Sequence, residues 1–233
     1  MLSKTAEKVL ENYGGHELWK KSRFLEAEVS VSGLLFKMKK RPNLEHAFIK
    51  MEIHKPFSKI TPIGKNFEIS GCLDSENVWL EQSGKEIDSK ENIRAELSKF
   101  SNFLKWNDLQ MAYFANYAFW NYLTFPNLLI NDKIKWVEPE IGILKATFPD
   151  SIPTHSKNQT YYFDKDTFLL KQHNYTAEVV SNLATAANVI KEHKNENGLL
   201  YPSRRIITPQ SKKNGYLKFP VLVDITVHHL KIY

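Results

Sequence analysis

Between Leu109 and Asn131 no side chain is charged, in a chain of 233 residues of which 25% are Asp, Glu, Lys or Arg. No other stretch constrains the fold as much. Its start is marked: Asn107 is a good N-cap, Asp108 suits the positive end of a helix, and Gln110 stands where a capping box places Glu or Gln. Its end is marked by Pro126, which disfavours helix at Phe125, so the pattern predicts a helix from about Asp108 to Thr124. At 1.5 Å per residue this helix is roughly 25 Å long. Met111, Tyr113, Phe114, Tyr117, Phe119, Trp120, Tyr122 and Leu123 spread over nearly its whole circumference, so it has no solvent face and must be surrounded.

A bilayer is one candidate surrounding, because about 20 uncharged residues reach across it. Asn116, Asn121, Asn127 and Pro126 would then lie in hydrocarbon, together with Tyr and Trp residues that prefer the interface. The flanking residues are Asp108 and Asp132 instead of Lys or Arg. The sequence therefore points to a core helix wrapped by a curved sheet, with no transmembrane span. The asparagines and tyrosine hydroxyls are expected to find partners inside the protein or in a pocket.

Composition narrows the function classes. The formal charge is +6, but the basic residues are dispersed, with Lys37, Lys39, Lys40 and Arg41 as the one dense run. Dispersed charge reads as a solvated face, and no nucleic-acid partner is expected. Cys72 is the single cysteine, which excludes an internal disulfide and a cysteine zinc cage and fits a reducing compartment. The opening residues MLSKTAEKVLENYGG have the pattern of an amphipathic helix without an apolar signal core, so the expected location is cytoplasmic.

Taken in order, the chain reads as an N-terminal helix over 4–13, capped by Ser3 and ended by Gly14-Gly15. A β meander over 23–82 follows. In it Leu25, Ala27, Val29 and Val31 alternate with polar or outward positions, as do Ala47, Ile49, Met51 and Ile53. Leu34–Met38, after the break at Gly33, reads as the next strand or the continuation of the first, and short strands are expected at Lys65–Ser70 and Val78–Gln82. A helical insert covers 89–124, with Ser89 as a cap and Ile93, Leu97, Phe100 and Leu104 on one stripe. A second meander covers 141–232, with polar turns at 164–167 and 195–198. With no repeat and no linker, 1–233 reads as a single domain. The fold class is α+β, mostly antiparallel β: one large, strongly bent sheet wrapping the buried aromatic helix.

Three segments of the second half carry a family likeness: QTYYFDKDTFLLKQHNY from Gln159, AANVIKEHKNENGLLYPSRRIITP from Ala186, and VLVDITVHHLKI from Val221. With ENYGGHELWKKSRFLEAEVSVSG near the N-terminus, their hydrophobic positions and turns resemble the LolA/LolB-like lipoprotein-carrier superfamily. The resemblance covers roughly residues 8–31 and 158–232. It implies an incomplete β-barrel whose helices close an apolar cavity for acyl chains. The chain departs from that pattern in showing no export signal and in its long aromatic run, Trp106–Ile130. The run itself, with Tyr113-Phe114, Tyr117-Ala118 and Trp120-Asn121-Tyr122-Leu123, is similar to a segment in a set of bacterial proteins that brings no activity with it.

Candidate chemistry concentrates in the second half. With a hairpin turn at 164–167 and Phe163 facing Phe168, position 158 opposes His173, His155 lies just beyond the hairpin's end, and His193 falls near His173. Tyr201 and Arg204 follow on the next strand. Three histidines on adjacent strands could serve as acid and base or hold a metal. No HExxH, cysteine pair or adjacent carboxylate supports a metal, however, and ordinary hydrogen-bonding histidines are favoured. No Gly-rich phosphate loop and no nucleophile elbow occurs. The expected ligand-binding residues are Tyr113, Asn116, Tyr117, Trp120 and Asn121 on the helix, with Arg204; the Arg204-Arg205 pair could meet an anionic head group at a cavity mouth, although two arginines on alternating sheet faces are the favoured reading. The leading functional reading is a cytoplasmic binding protein for an apolar or amphipathic, acyl- or lipid-like small molecule, without cofactor and compatible with peripheral membrane contact. The alternatives are an enzyme using His155 and His173 on a lipid-like or aromatic substrate, and a ligand-free interaction scaffold.

Overall fold

The computed structural model describes residues 2–97 and 105–233. Thirteen strands form one antiparallel sheet that curves without closing, in the order β6-β5-β4-β3-β2-β1-β13-β12-β11-β10-β9-β8-β7. The first meander holds β1 (Phe24–Ser32), β2 (Leu44–Glu52), β3 (Phe57–Thr61), β4 (Ile69–Asp74), β5 (Asn77–Gln82) and β6 (Lys85–Lys90). The second holds β7 (Lys135–Glu140), β8 (Ile143–Thr147), β9 (Asn158–Phe163), β10 (Leu170–Thr176), β11 (Thr185–Glu196), β12 (Leu199–Pro209) and β13 (Val223–Ile232). Among the described residues the one non-sequential pairing, β1 with β13, joins the two meanders. The edge strands β6 and β7 flank the chain segment that carries the central helix.

The helices lie on the concave side or close its ends. α1 (Lys4–Asn12) starts as expected, with the Ser3 hydroxyl accepting from the Ala6 amide, and buries Ala6, Val9 and Leu10. Leu18 and Trp19 lie in a second short helix, α2 (His16–Lys21). α4 (Arg94–Leu97) is one turn, and α5 is Asp108–Leu123. The capping box on α5 is complete: the Asn107 side chain accepts from the Gln110 amide, and Gln110 returns the bond to the Asn107 amide. Thr124 ends the helix, but Pro126 does not extend the chain. It sits in the first turn of α6 (Phe125–Leu128), where its missing N–H costs nothing. Every residue from Leu109 to Leu123 is buried, as the uncharged run requires.

Several boundaries differ from the sequence reading. Leu34–Met38 is a helix, α3, not a strand. Gly33 has φ 134°, and a Cβ there would stand 2.4 Å from the Leu222 carbonyl oxygen. That conformation, open to glycine, turns the chain off β1 and lays α3 beside β13. Ser89 does not cap a helix; it belongs to β6, whose residues are all exposed and so show no alternation. The insert between the meanders therefore spans β6 to β7 instead of 89–124, and the second meander begins at Lys135 instead of 141. β3 is an additional strand, and β4 starts at Ile69, where the expected Lys65–Ser70 strand ends. Phe100 and Leu104 lie outside the described residues. Among the described residues no helix is long and apolar enough to cross a membrane.

α5 packs on β3, β4 and β5. Asn116 is the main polar fastening: its amide donates to the Gly71 carbonyl at 3.0 Å and to the Ala112 carbonyl at 2.8 Å, and its oxygen accepts from the Ser58 hydroxyl at 2.7 Å. Trp120 Nε1 donates to the Glu52 carbonyl at 2.8 Å, and Asn127 donates to the Ile53 carbonyl at 3.1 Å. Polar groups inside a helix that would otherwise be orphaned thus bind the backbone of the sheet.

Candidate functional site

The opposite face of α5 is not filled by the sheet. Met111, Phe114, Ala115, Ala118, Phe119 and Tyr122 recur at helical spacing and form one wall of a cavity of about 330 Å³. The facing wall comes from β11, β12 and β13, through residues such as Ala186, Ile207 and Ile225, and Leu35, Phe36 and Met38 of α3 cover one side. Nearly all the lining is apolar. The polar exceptions on the inner wall are Tyr122, His155 and Tyr175. At the mouth Leu183, 89% exposed, and Met38, 45% exposed, are both lining residues that reach solvent.

His155 reaches this wall from the loop between β8 and β9. Arg94 holds that loop, donating to the carbonyls of Thr154 at 2.6 Å and His155 at 3.2 Å and pairing with Glu178 at 3.1 Å. The imidazole lies between two phenols, with Tyr117 Oη 3.0 Å from Nδ1 and Tyr122 Oη 2.7 Å from Nε2. Tyr122 Oη is also 2.5 Å from Tyr175 Oη. The His155 and Tyr175 rings stack at 4.0 Å, as do those of His173 and Tyr161. His173 Nε2 donates to Gln159 Oε1 at 2.6 Å, and the Gln159 amide is held by the Thr154 hydroxyl and the Ser156 carbonyl.

Burial governs the electrostatics. It pulls His155 down to about 3, helped by the positive charge of Arg94. His173 is pushed well below its ordinary range by burial, then by His155 and Arg205. Tyr122 is raised to about 12 by burial. The cluster is therefore neutral near pH 7. A histidine at about 3 is a weak base, which suits hydrogen bonding better than proton abstraction.

The structure unites two of the three expected histidines. His155 and His173 share the stack around Tyr122 and Tyr175, but His173 opposes Tyr161 instead of position 158. A register shift between Leu170 and Gln172, with Phe168 at φ 55°, moves the pairing. His193 is elsewhere. His173 pairs with Asn188 on β11, five residues before His193, and His193 Nε2 meets the Tyr13 hydroxyl at 2.8 Å. Among the described residues no three His, Cys, Asp or Glu side chains converge as a metal site.

The six expected ligand residues do not line the cavity. Tyr113 lies on a separate cleft beside Arg94 and Glu178, and Trp120 on another beside His54 and Asn131. Asn116 binds the sheet, Tyr117 binds His155 from behind, and the Asn121 amide donates to the Pro153 carbonyl at 2.8 Å. Arg204 points outward and pairs with Asp224 at 3.3 Å. The cavity residues that sequence reasoning missed are the small and apolar ones, Ala115, Ala118 and Phe119. Their one signal was the 111-114-115-118-119-122 spacing, hidden because the rest of the helix is equally apolar.

No family model matches the chain, and no curated protein matches it. Solved structures do. The chain is similar to a LolA superfamily protein from Nitrosomonas europaea, with 12% identity, a TM-score of 0.51 and coverage of 99% of this chain and 94% of that one. It is also similar to a domain from Vibrio parahaemolyticus described as an outer membrane lipoprotein-sorting protein, with 10% identity, a TM-score of 0.51 and coverage of 98% and 91%. At such identities the likeness is one of fold. The fold is the LolA-like open curved sheet: an unclosed half-barrel with helices on its concave side, as the residue pattern and the resemblance together led one to expect.

Proposed function

We propose that the protein is a carrier or binding protein for one apolar or amphipathic molecule, held between α5 and the concave face of β11–β13. The observation that carries this reading is the cavity itself: about 330 Å³, almost wholly apolar, and unfilled although α5 is packed on its other side. Concave apolar cavities with a few convergent polar groups are the usual form of small-molecule sites. The fold shared with a lipoprotein-sorting domain supports a lipid-like ligand.

The volume sets the ligand's size. At about 30 Å³ for each water-sized group the cavity holds roughly ten such groups, the bulk of a ten-carbon chain. Burying those methylenes is worth about 8 kcal/mol gross. Association and chain ordering remove a large share, so micromolar or weaker affinity is expected. The exposed Met38 and Leu183 give an entering chain an apolar threshold and would suit transient contact with a membrane. The reading places the protein in the cytoplasm. Support for that is compositional: Cys72 is the single cysteine, so the fold is held without an internal disulfide.

The test is a series of saturated alcohols from C6 to C16, scored by melting temperature and by native mass spectrometry. A rise that peaks near C10 and a 1:1 adduct are expected. A flat series with no adduct at any length would remove the carrier reading and favour a ligand-free scaffold.

A further inference from the structure

Behind the inner end of the cavity stands a cation without a counter-charge. Arg205 points inward on β12, two residues from Ile207 and directly across from Ile225 of β13, and both isoleucines line the cavity. It is 2% exposed, and its Nε and one terminal nitrogen have no hydrogen-bond partner among the described residues. Its guanidinium covers the face of the Tyr122 ring at 5.0 Å, and Tyr122 is itself part of the cavity wall. The groups that act on it electrostatically are the tyrosines Tyr122, Tyr13, Tyr175 and Tyr161, none of them anionic near neutral pH. His173 and His193 are kept neutral chiefly by burial, and the charge of Arg205 works in the same direction. Among the described residues no carboxylate forms an ion pair with it.

Beside it lies Asn188. This residue is fully buried, opposite Ile207 and two residues from Ala186, and Ala186 and Ile207 line the cavity. Its amide comes near enough to the Tyr122 hydroxyl to counter the rise in that group's pKa. Yet neither its nitrogen nor its oxygen has a partner of normal hydrogen-bond geometry. A buried guanidinium and a buried amide, both with unused donors at one place, are costly to fold unless something completes them. Guanidinium N–H groups are suited to a carboxylate or phosphate oxygen.

We propose that Arg205 and Asn188 form the anion-binding end of the cavity, so that the ligand is an amphiphile with a carboxylate-like head and a tail of about ten carbons. The Tyr122 ring is the partition: turned aside, it lets the head reach the guanidinium while the tail lies along Ala115, Ala118 and Phe119. This inference rests on the carrier reading and specifies its substrate class.

The experiment compares sodium decanoate, 1-decanol and sodium acetate by calorimetric titration at pH 7.5 on the full chain, below the micelle-forming concentration of the acid. Decanoate is expected to bind wild type at least tenfold more tightly than decanol. Arg205→Met should bring the two within about twofold of each other while decanol binding persists, and Arg205→Lys should retain part of the preference. Equal binding of acid and alcohol to wild type overturns the anion site and leaves the apolar carrier standing. If neither binds, both readings fall. Acetate binding as tightly as decanoate would make this a site for small free anions and overturn the amphiphile. Should Arg205→Met fail to fold, the wild-type comparison and the lysine variant still decide the matter.

Discussion

Gly71 on β4 and Ala112 on α5 approach so closely that a Cβ built on Gly71 would stand 2.6 Å from the Ala112 methyl. Two small residues thus let a helix backbone settle directly onto a strand, and the Asn116 bond to the Gly71 carbonyl depends on that proximity. Ile63 leaves no room to yield, with two side-chain carbons 3.2 Å from the same point. Gly71→Ala is therefore overpacking in a filled interface, and a loss of about 1–3 kcal/mol is expected. Urea unfolding should show a lower midpoint at unchanged slope. A loss under about 0.5 kcal/mol would mean that α5 can shift on the sheet.

The same geometry changes what Asn116 is expected to do. Read from the sequence, it is a polar handle for a ligand; in the fold it faces the sheet, away from the cavity. Asn116→Leu leaves the Gly71 carbonyl and the Ser58 hydroxyl buried without this partner, a cost of about 1–3 kcal/mol. Ligand affinity of the folded variant should stay within about twofold of wild type. A large change in ligand preference at unchanged stability would contradict the placement of α5.

These two residues show where the sequence was legible. α5 could be located because its caps and its lack of charge are local features: Asn107, Gln110 and Thr124 sit where the chain chemistry puts them. Which side of it faces the cavity could not be read, because a helix apolar all round has no preferred face. Asn116, Tyr117 and Asn121 looked like handles because they are polar, whereas burial inside a fold is what demands their backbone and histidine partners. The curved antiparallel sheet was legible from alternation in β1 and β2. β6 was not, since its residues are all exposed, and the β9–β10 register was not, since the turn conformation of Phe168 and a shift between Leu170 and Gln172 move it. Arg205 was legible only as half of the Arg204-Arg205 pair: which of the two turns inward, and that Asn188 stands near it, depends on the β11–β12 register, which the chain does not spell out locally.

Ala118 offers a direct test of the cavity. It lines the space from the middle of α5, so Ala118→Phe adds a ring to the void without displacing a sheet contact. Ligand binding should fall at least tenfold. Stability should hold or rise by up to about 1 kcal/mol, because filling a void recovers apolar contacts. Destabilisation by more than about 2 kcal/mol would show that the space is not there to be filled.

Acid sensitivity follows from the two buried histidines. In the unfolded chain a histidine titrates near 6.5; in the fold His155 is lowered to about 3 and His173 well below its ordinary value, both chiefly by burial. Between those limits the unfolded chain binds protons that the native state refuses. Stability is then complete above about pH 6.5 and is lost as pH falls toward the folded values. From pH 7.5 to 5 each such histidine removes about 2 kcal/mol, so the pair removes about 4. His193, lowered to about 4, acts in the same direction, with less weight because it is only partly buried. Carboxylates such as Glu26, held at about 2 by Lys231, Tyr233 and Lys50, also destabilise in acid, but only below their unfolded value near 4.3. The interval from pH 6.5 to 5 therefore reports chiefly the histidines. Urea titrations at half-unit steps should show the fall there, and His155→Gln should lose about half of the steepness that the His155–His173 pair contributes. A flat stability curve between pH 7.5 and 5 would mean that water reaches the imidazoles and that the stack around Tyr122 and Tyr175 is open.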